Sequence, residues 1–436
     1  MRVLILSATT GGGHMRAAQA LEEVIKERNC EDVVMVVDGL EYVNHYFNKI
    51  VVDSYKFAAM KIPSMYGMVY HASNSDNNLY KLIQKTNSHF AKKFIPLLAE
   101  FRPDVMVSTH PFMGIMASRL REKGITNIPL ISIVTDFALH SAYVSSGVSE
   151  YIVSSVQMVD ELEKNGVDRN IIHPVGIPIQ PVFFQKDEHK KEHLEELGFD
   201  PELKTVLIMA GSFGVTDILK IYRNINELDL DFQIIVITGK NEKLFDAFNS
   251  ILSCNEQLRV GQAQANFDDD KEPSRKEEKM NITKKTKLIY FTDEVHRYMH
   301  ISDLIITKPG GLTVTESLAS CLPMALFKGI PGQETDNTEY LCSNNLAISI
   351  KKSTAAEVIY QLLKYPDRLL SIQESCARLN NPNSADRVVD IAYEAVMKMT
   401  EPPKLPGTDY ISIDNEPDEE ELYTELTQAI SDYEID

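Results

Sequence analysis

Leu304-Ile305-Ile306-Thr307-Lys308-Pro309-Gly310-Gly311-Leu312-Thr313-Val314-Thr315-Glu316-Ser317 decides the fold. The apolar run Leu304–Ile306 is the length of a short buried strand. Pro309-Gly310-Gly311 turns the chain and leaves its backbone bare. An amphipathic helix is predicted over 313–321, with Thr313 at its start and Glu316 three residues later, the spacing of a capping box. Strand, glycine turn and helix together make an anion site, because helix N-termini present unpaired N–H groups and partial positive charge. Glu316 lies one turn too deep for phosphate, but its carboxylate suits the two hydroxyls of a ribose. The stretch therefore has the form of a nucleoside diphosphate site. The plainer alternative is a tight turn with Glu316 as a cap.

The same unit recurs outward from this point. Residues 2–7 form a strand, followed by Gly11-Gly12-Gly13-His14 and a helix over about 14–28, then a strand at Val33–Asp38. Further strands are expected at Asp104–Ser108, Pro129–Thr135 and Tyr151–Ser154. The pattern restarts at Thr205–Met209, followed by Ala210-Gly211-Ser212-Phe213-Gly214 and a helix. Strands at Phe232–Thr238, Leu288–Phe291, Leu304–Ile306 and Pro323–Phe327 complete it. Strands alternating with helices predict parallel sheets. The fold class is α/β, with two Rossmann-like doubly wound domains facing across a cleft. The first spans 1–180 and the second 200–382, with a polar insert at 255–286. A helix at 383–400 can cross back to the first domain. An acidic tail over 401–436 has a composition of low order.

Four features follow strands and so can face the cleft. Gly12 and Gly13 admit close backbone approach, and His14 can act as a base near neutral pH or merely cap the turn. Asp136, with His140 nearby, can take a hydroxyl proton or cap a helix. Gly211, Ser212 and Phe213 offer bare amides to a diphosphate. Lys308 and Glu316 begin a fourth group with Gln333, Glu334 and Asn337; Gln333 and Glu334 bind sugar hydroxyls from a loop or simply begin the next helix.

Composition narrows the class. The chain has 436 residues, 44% of them hydrophobic, with no run long enough for a membrane helix and an N-terminus that resembles a first strand more than a signal peptide. Five scattered cysteines fit a reducing cytoplasm and argue against structural zinc. Of the net charge of −19, the tail 401–436 carries −11. Stretch 42–100 is basic, with seven lysines against three acids, and is rich in aromatics and methionine. It is a candidate for an anionic membrane surface, against the alternative of an ordinary solvated helix face. Arginine clusters that would serve nucleic acid are absent, as are a P-loop, a GxGxxG opening and a GxSxG elbow. Asp268-Asp269-Asp270 lies among lysines and glutamates and is taken as solvated, not as a metal site.

Over about residues 2–395 the sequence resembles the diacylglycerol glycosyltransferases of glycosyltransferase family 28. The likeness rests on Gly12-Gly13-His14, Val134-Thr135-Asp136-Phe137, Gly176-Ile177-Pro178-Ile179, Leu207-Ile208-Met209-Ala210-Gly211, Thr238-Gly239-Lys240-Asn241, Ile306-Thr307-Lys308-Pro309-Gly310-Gly311 and Pro331-Gly332-Gln333-Glu334, in that order. The resemblance implies a GT-B fold, a UDP-sugar against the second domain, a diacylglycerol acceptor reaching the first from the membrane surface, and inversion without metal or cofactor. It implies that Glu316 binds the ribose, that Gly310-Gly311 with Gly211-Ser212 hold the phosphates, that Gln333 and Glu334 hold the sugar, and that the loop at Asp293-Glu294-Val295 faces uracil. His14 is the expected base, with Asp136 the second choice. The expected reaction is glucose transfer from UDP-glucose to the 3-hydroxyl of diacylglycerol by a cytoplasmic, peripherally attached enzyme, with repetition on its own product as a further expectation. The alternatives are galactose transfer, N-acetylglucosamine transfer to a lipid-linked precursor, and a non-catalytic UDP-sugar sensor.

Overall fold

The computed structural model describes residues 1–9, 12–43, 89–209, 215–264, 282–327, 329, 332–379 and 381–406. Residues 44–88 of the basic aromatic stretch, Gly211, Ser212 and Phe213, the Asp268–Asp270 run and the tail from 407 lie outside the described residues.

The first domain runs β1 (Arg2–Ser7), α1 (Gly13–Arg28), β2 (Val33–Asp38), α2 (Gly39–Val43), α3 (Ile95–Phe101), β3 (Val105–Ser108), α4 (Pro111–Glu122), β4 (Leu130–Ile133), β5 (Glu150–Ile152), α5 (Val156–Lys164) and β6 (Ile172–His173). Its strands pair in the order β2-β1-β3-β4-β5-β6, all parallel. The second begins with α6 (Lys190–Glu196), β7 (Lys204–Met209), α7 (Val215–Asn226), β8 (Phe232–Ile237), α8 (Glu242–Gln264), β9 (Thr286–Ile289) and α9 (Val295–Ile301). It continues with β10 (Leu304–Thr307), α10 (Gly311–Ala319), β11 (Met324–Phe327), α11 (Gln333–Ser343), β12 (Ala347–Ile350), α12 (Ala355–Lys364) and α13 (Pro366–Leu379). These strands pair as β12-β11-β10-β7-β8-β9, again all parallel. This is a GT-B fold of two doubly wound domains.

The central parallel strands read as largely apolar runs because helices cover both faces of the sheets there. Phe232–Ile237 and Leu304–Thr307 are buried at every position. The last helix among the described residues, α14 (Ser384–Met397), lies on the first domain beside α1. Val388, Val389, Ile391 and Ala392 share a core with Val3, Ile5, Ile131 and Ile133. Arg28 donates to Asp390 at 2.7 Å, Tyr393 donates to Asp32, and Lys398 reaches the buried Glu150 at 3.0 Å. Beyond α14 the described residues stay on the same domain, where the Thr126 hydroxyl donates to the Lys404 carbonyl at 2.8 Å.

Two local expectations are corrected. The helix after Gly310-Gly311 starts at Gly311, not Thr313, with Gly310 as its N-cap and no side-chain cap. The capping box therefore does not form. Without Cβ atoms the two glycines let the first turn begin against the other domain, which leaves Thr313 inside the helix and Glu316 in its second turn. The insert also begins later than composition indicates, since α8 continues through 255–264 to Gln264. Among the described residues no helix is long and apolar enough to cross a membrane.

Candidate active site between the two domains

Each sheet reverses its winding once, and the crevice outside that switch point is where such sheets bind ligands. In the first sheet the switch lies between β1 and β3. After β1 the chain reaches Gly12, whose φ of 78° is left-handed and suits glycine, and then α1. After β3 come Thr109 and His110. In the second sheet the switch lies between β7 and β10, where the Thr307 hydroxyl donates to the Met209 carbonyl at 3.0 Å. The next residues of β10's connection are Lys308 to Gly311.

The two switch points meet. A Cβ on Gly311 would collide with the Thr135 carbonyl oxygen and lie 3.2 Å from Asp136 Oδ1. A Cβ on Gly13 would lie 3.3 Å from Leu312 Cδ2. The starts of α1 and α10 thus face one another, and at Gly311 the packing against a backbone carbonyl leaves room for glycine alone.

His14 stands at the start of α1. Its Nδ1 is 2.8 Å from the Thr109 carbonyl oxygen and 2.8 Å from Thr135 Oγ1. A carbonyl only accepts, so this partner assigns the ring proton to Nδ1 and leaves the lone pair on Nε2. Burial lowers His14 to about 4, against the opposing pull of the Thr109 bond, so the ring is neutral near pH 7. The His110 ring meets it edge-on at 4.6 Å. Burial, and then His14 itself, push His110 well below the ordinary histidine range. His110 Nδ1 also accepts from the Phe112 amide at 3.3 Å and so caps α4.

Asp136 follows β4 and is 4% exposed. Gln333 donates to its Oδ2, and Asn337 donates to its Oδ1 at 3.1 Å. Asn337 also donates to the Pro309 carbonyl at 3.1 Å and accepts from the Phe137 amide at 2.8 Å. One asparagine therefore joins both sides of the cleft. Burial pushes Asp136 up to about 6; the Asn337 and Gln333 amides oppose this, and nearby Glu334 reinforces it. With each carboxylate oxygen already accepting from an amide, Asp136 acts here as a bridge between the domains.

Glu316 is 2% exposed and faces Arg16 of α1, whose Nη1 lies 2.8 Å from Oε1 and 3.2 Å from Oε2. Burial raises the Glu316 carboxyl and Arg16 opposes the rise. Gln333 and Glu334 form the first turn of α11, not a loop, behind Gly332 with a φ of 94°. The Glu334 carboxylate pairs with Lys308 at 3.0 Å.

Of the residues singled out by sequence, Gly12, Gly13, His14, Asp136, Lys308, Gly310, Gly311, Glu316, Gln333, Glu334 and Asn337 converge on the cleft. The Thr313 carbonyl accepts from the Ser317 hydroxyl within α10. Val295 begins α9 and packs against the second domain's apolar core. Arg16 and Thr109 were missed. Thr109 acts through its backbone and leaves no sequence signal. Arg16 did leave one: it is a cation in the first turn of a helix that has no acid there, which opposes the helix dipole. Among the described residues no three His, Cys, Asp or Glu side chains are grouped to hold a metal ion.

Comparison with known proteins agrees with this architecture. The monogalactosyldiacylglycerol (MGDG) synthase family matches residues 14–179, and the glycosyltransferase family 28 C-terminal domain matches residues 205–390. A processive diacylglycerol β-glucosyltransferase of Bacillus pumilus is 27% identical, over 90% of this chain and 94% of its own. The protein of that name in Bacillus subtilis is also 27% identical, over 91% and 96%. Among solved structures, Acinetobacter baumannii MurG superposes with a TM-score of 0.54 at 13% identity, covering 90% of this chain and 99% of MurG. A UDP-GlcNAc 2-epimerase from Neisseria meningitidis bound to UDP-GlcNAc does so at 0.53 and 12%, covering 90% and 100%. Likeness at these identities concerns the fold. The two family matches, one on each domain and meeting at the cleft, carry the assignment: the chain belongs to glycosyltransferase family 28, in the group that includes the monogalactosyldiacylglycerol synthases and the processive diacylglycerol β-glucosyltransferases.

Proposed function

We propose that this glycosyltransferase moves glucose from UDP-glucose to the 3-hydroxyl of 1,2-diacylglycerol, forming β-glucosyldiacylglycerol, and that it can extend its product. The observation that carries the reading is the neutral His14, anchored through Nδ1 to Thr109, across from the glycine start of α10. One side of the cleft offers a base and the other an anion site.

In this reading the diphosphate of the donor lies on the amides that begin α10, with Gly310 and Gly311 allowing close approach. Gly211, Ser212 and Phe213 complete the phosphate side. Glu316 takes the ribose hydroxyls, and Gln333, Glu334 and Asn337 hold the hexose. Val295 bounds the uracil side. The acceptor enters past Gly12 and Gly13. Its hydroxyl oxygen attacks the anomeric carbon from the face opposite the diphosphate. The bond to the β-phosphate oxygen breaks, UDP departs with the electron pair, and the hydroxyl proton goes to Nε2 of His14. One displacement inverts the anomeric centre, so an α-linked donor yields a β-glycoside. Helix amides and cationic side chains stabilise the departing diphosphate, and no metal is required. Stretch 42–100 supplies the contact with anionic lipid, which makes the enzyme a peripheral protein of the cytoplasmic membrane face.

The names of the Bacillus relatives favour glucose, while the family matched over the first domain is named for galactose transfer. One experiment addresses both. Radiolabelled UDP-glucose and UDP-galactose are offered separately, with diacylglycerol in anionic vesicles and EDTA present. Labelled monohexosyl lipid from UDP-glucose alone is the expected result. Label from UDP-galactose alone would reassign the donor, and no labelled lipid from either would overturn the acceptor.

A further inference from the structure

Arg16 sits two residues after His14 in the first turn of α1 and crosses the cleft to Glu316. Its position is unfavourable in isolation, because a cation at a helix start meets the positive end of the dipole. An anion must compensate, and here that anion is Glu316. The two partners differ in freedom: the Glu316 side chain is 3% exposed and the Arg16 side chain 41%. The carboxylate is fixed in the second turn of α10, whereas the guanidinium ends a flexible stem at the mouth of the cleft.

This inference rests on the donor site proposed above, in which Glu316 belongs to the ribose. A ribose diol donating to that carboxylate displaces the guanidinium. The displaced charge then lies beside the start of α10, where the diphosphate is to be held. We propose that Arg16 is a positioning residue for the donor: it pairs with Glu316 before the donor binds and transfers to the diphosphate when the ribose takes its place. The exchange keeps the buried carboxylate satisfied in both states, which matters because an unpartnered buried charge is strongly disfavoured. It also links donor occupancy to α1, and through α1 to His14. A guanidinium suits the task, since its planar fork binds carboxylate and phosphate oxygens alike.

The alternative is that Arg16 only clamps the two domains together. Calorimetry with UDP and with uridine separates the two, using the full chain as wild type, R16Q, R16K and E316Q. Under the proposal R16Q binds UDP about 10- to 100-fold more weakly, the range of a hydrogen bond to a charged group. Uridine binds R16Q as well as wild type or better, because the competitor for Glu316 is gone. R16K keeps the charge without the fork and falls between; should R16Q not fold, R16K carries the test. Equal loss of UDP and uridine affinity is the mark of a clamp and would overturn the proposal. E316Q tests the reading beneath it. If E316Q loses uridine while the Arg16 variants leave the ratio of UDP to uridine affinity unchanged, the exchange alone fails. If E316Q binds uridine like wild type, the ribose assignment fails and the exchange with it.

Discussion

The two glycine turns that meet in the cleft have the same origin and different endings. Both follow a central strand of a parallel sheet at its switch point, and both open a helix toward the other domain. The first enters its helix through a left-handed glycine, Gly12, and at once presents a side chain that titrates, His14. The second enters through Gly310 with a φ of −76° and presents backbone, with Gly311 against the Thr135 carbonyl. The same local architecture thus supports two kinds of chemistry. In the proposed reaction the first turn, which ends in a histidine held by its neighbours, would take the proton, and the second, which ends in glycine backbone, would receive charge.

The comparison breaks first at His14. His14→Ala should lower kcat by about 100- to 10,000-fold, the usual contribution of a general base, with donor binding little changed. Full turnover by that variant would remove the chemical half of the contrast. The pH dependence of kcat/KM sharpens the same point, because the two candidate bases have exchanged their ordinary order. Burial lowers His14 to about 4 and raises Asp136 to about 6. A base must be deprotonated, so activity falls as pH drops through its folded pKa. An acid limb near 4 would identify His14, and one near 6 would identify Asp136.

At the other turn, Gly311→Ala should cost about 100-fold in kcat/KM, because the new methyl meets a backbone carbonyl that cannot move without shifting one domain against the other. Asn337→Ala removes the bridge behind both turns. Asn337 is fully buried, and its truncation leaves the Phe137 amide and the Pro309 carbonyl without that partner. A loss of roughly 2–3 kcal/mol in denaturant unfolding is expected. Gly13→Ala should be mildest, within about tenfold in kcat/KM, because its methyl meets only the flexible tip of Leu312. If Gly13→Ala proved worse than Gly311→Ala, the contrast between the turns would be reversed.

Much of this was legible in the sequence for a local reason. Parallel strands are apolar throughout, glycines mark the turns, and the apolar helix face of α1 recurs at Ala17, Ala18, Leu21, Val24 and Ile25, all buried. The fold and most cleft residues follow from signals a few residues long. What failed to show was either too near or too far. Thr313 and Glu316 have the spacing of a capping box, yet a start two residues earlier places Thr313 within the helix and Glu316, buried, in its second turn. Arg16 and Glu316 are 300 residues apart, and Asp136 and Asn337 are 201 apart. Nothing beside either partner encodes such a pairing, which the docking of one domain on the other creates.

The return of α14 to the first domain has a consequence for how the protein is made. The apolar layer under β1 and β4 is closed by Val388, Val389, Ile391 and Ala392, each 1% or 2% exposed. A ribosome delivers the amino end first and domains ordinarily fold in that order. Here the earliest domain to emerge must wait, with the part of one sheet face that α1 does not cover still open, until nearly four hundred residues have been translated. The second domain, contained within a single continuous stretch, can be complete before the first. Synthesis order and folding order are therefore inverted, and the newborn first domain is the stage at which a chaperone would find exposed apolar surface.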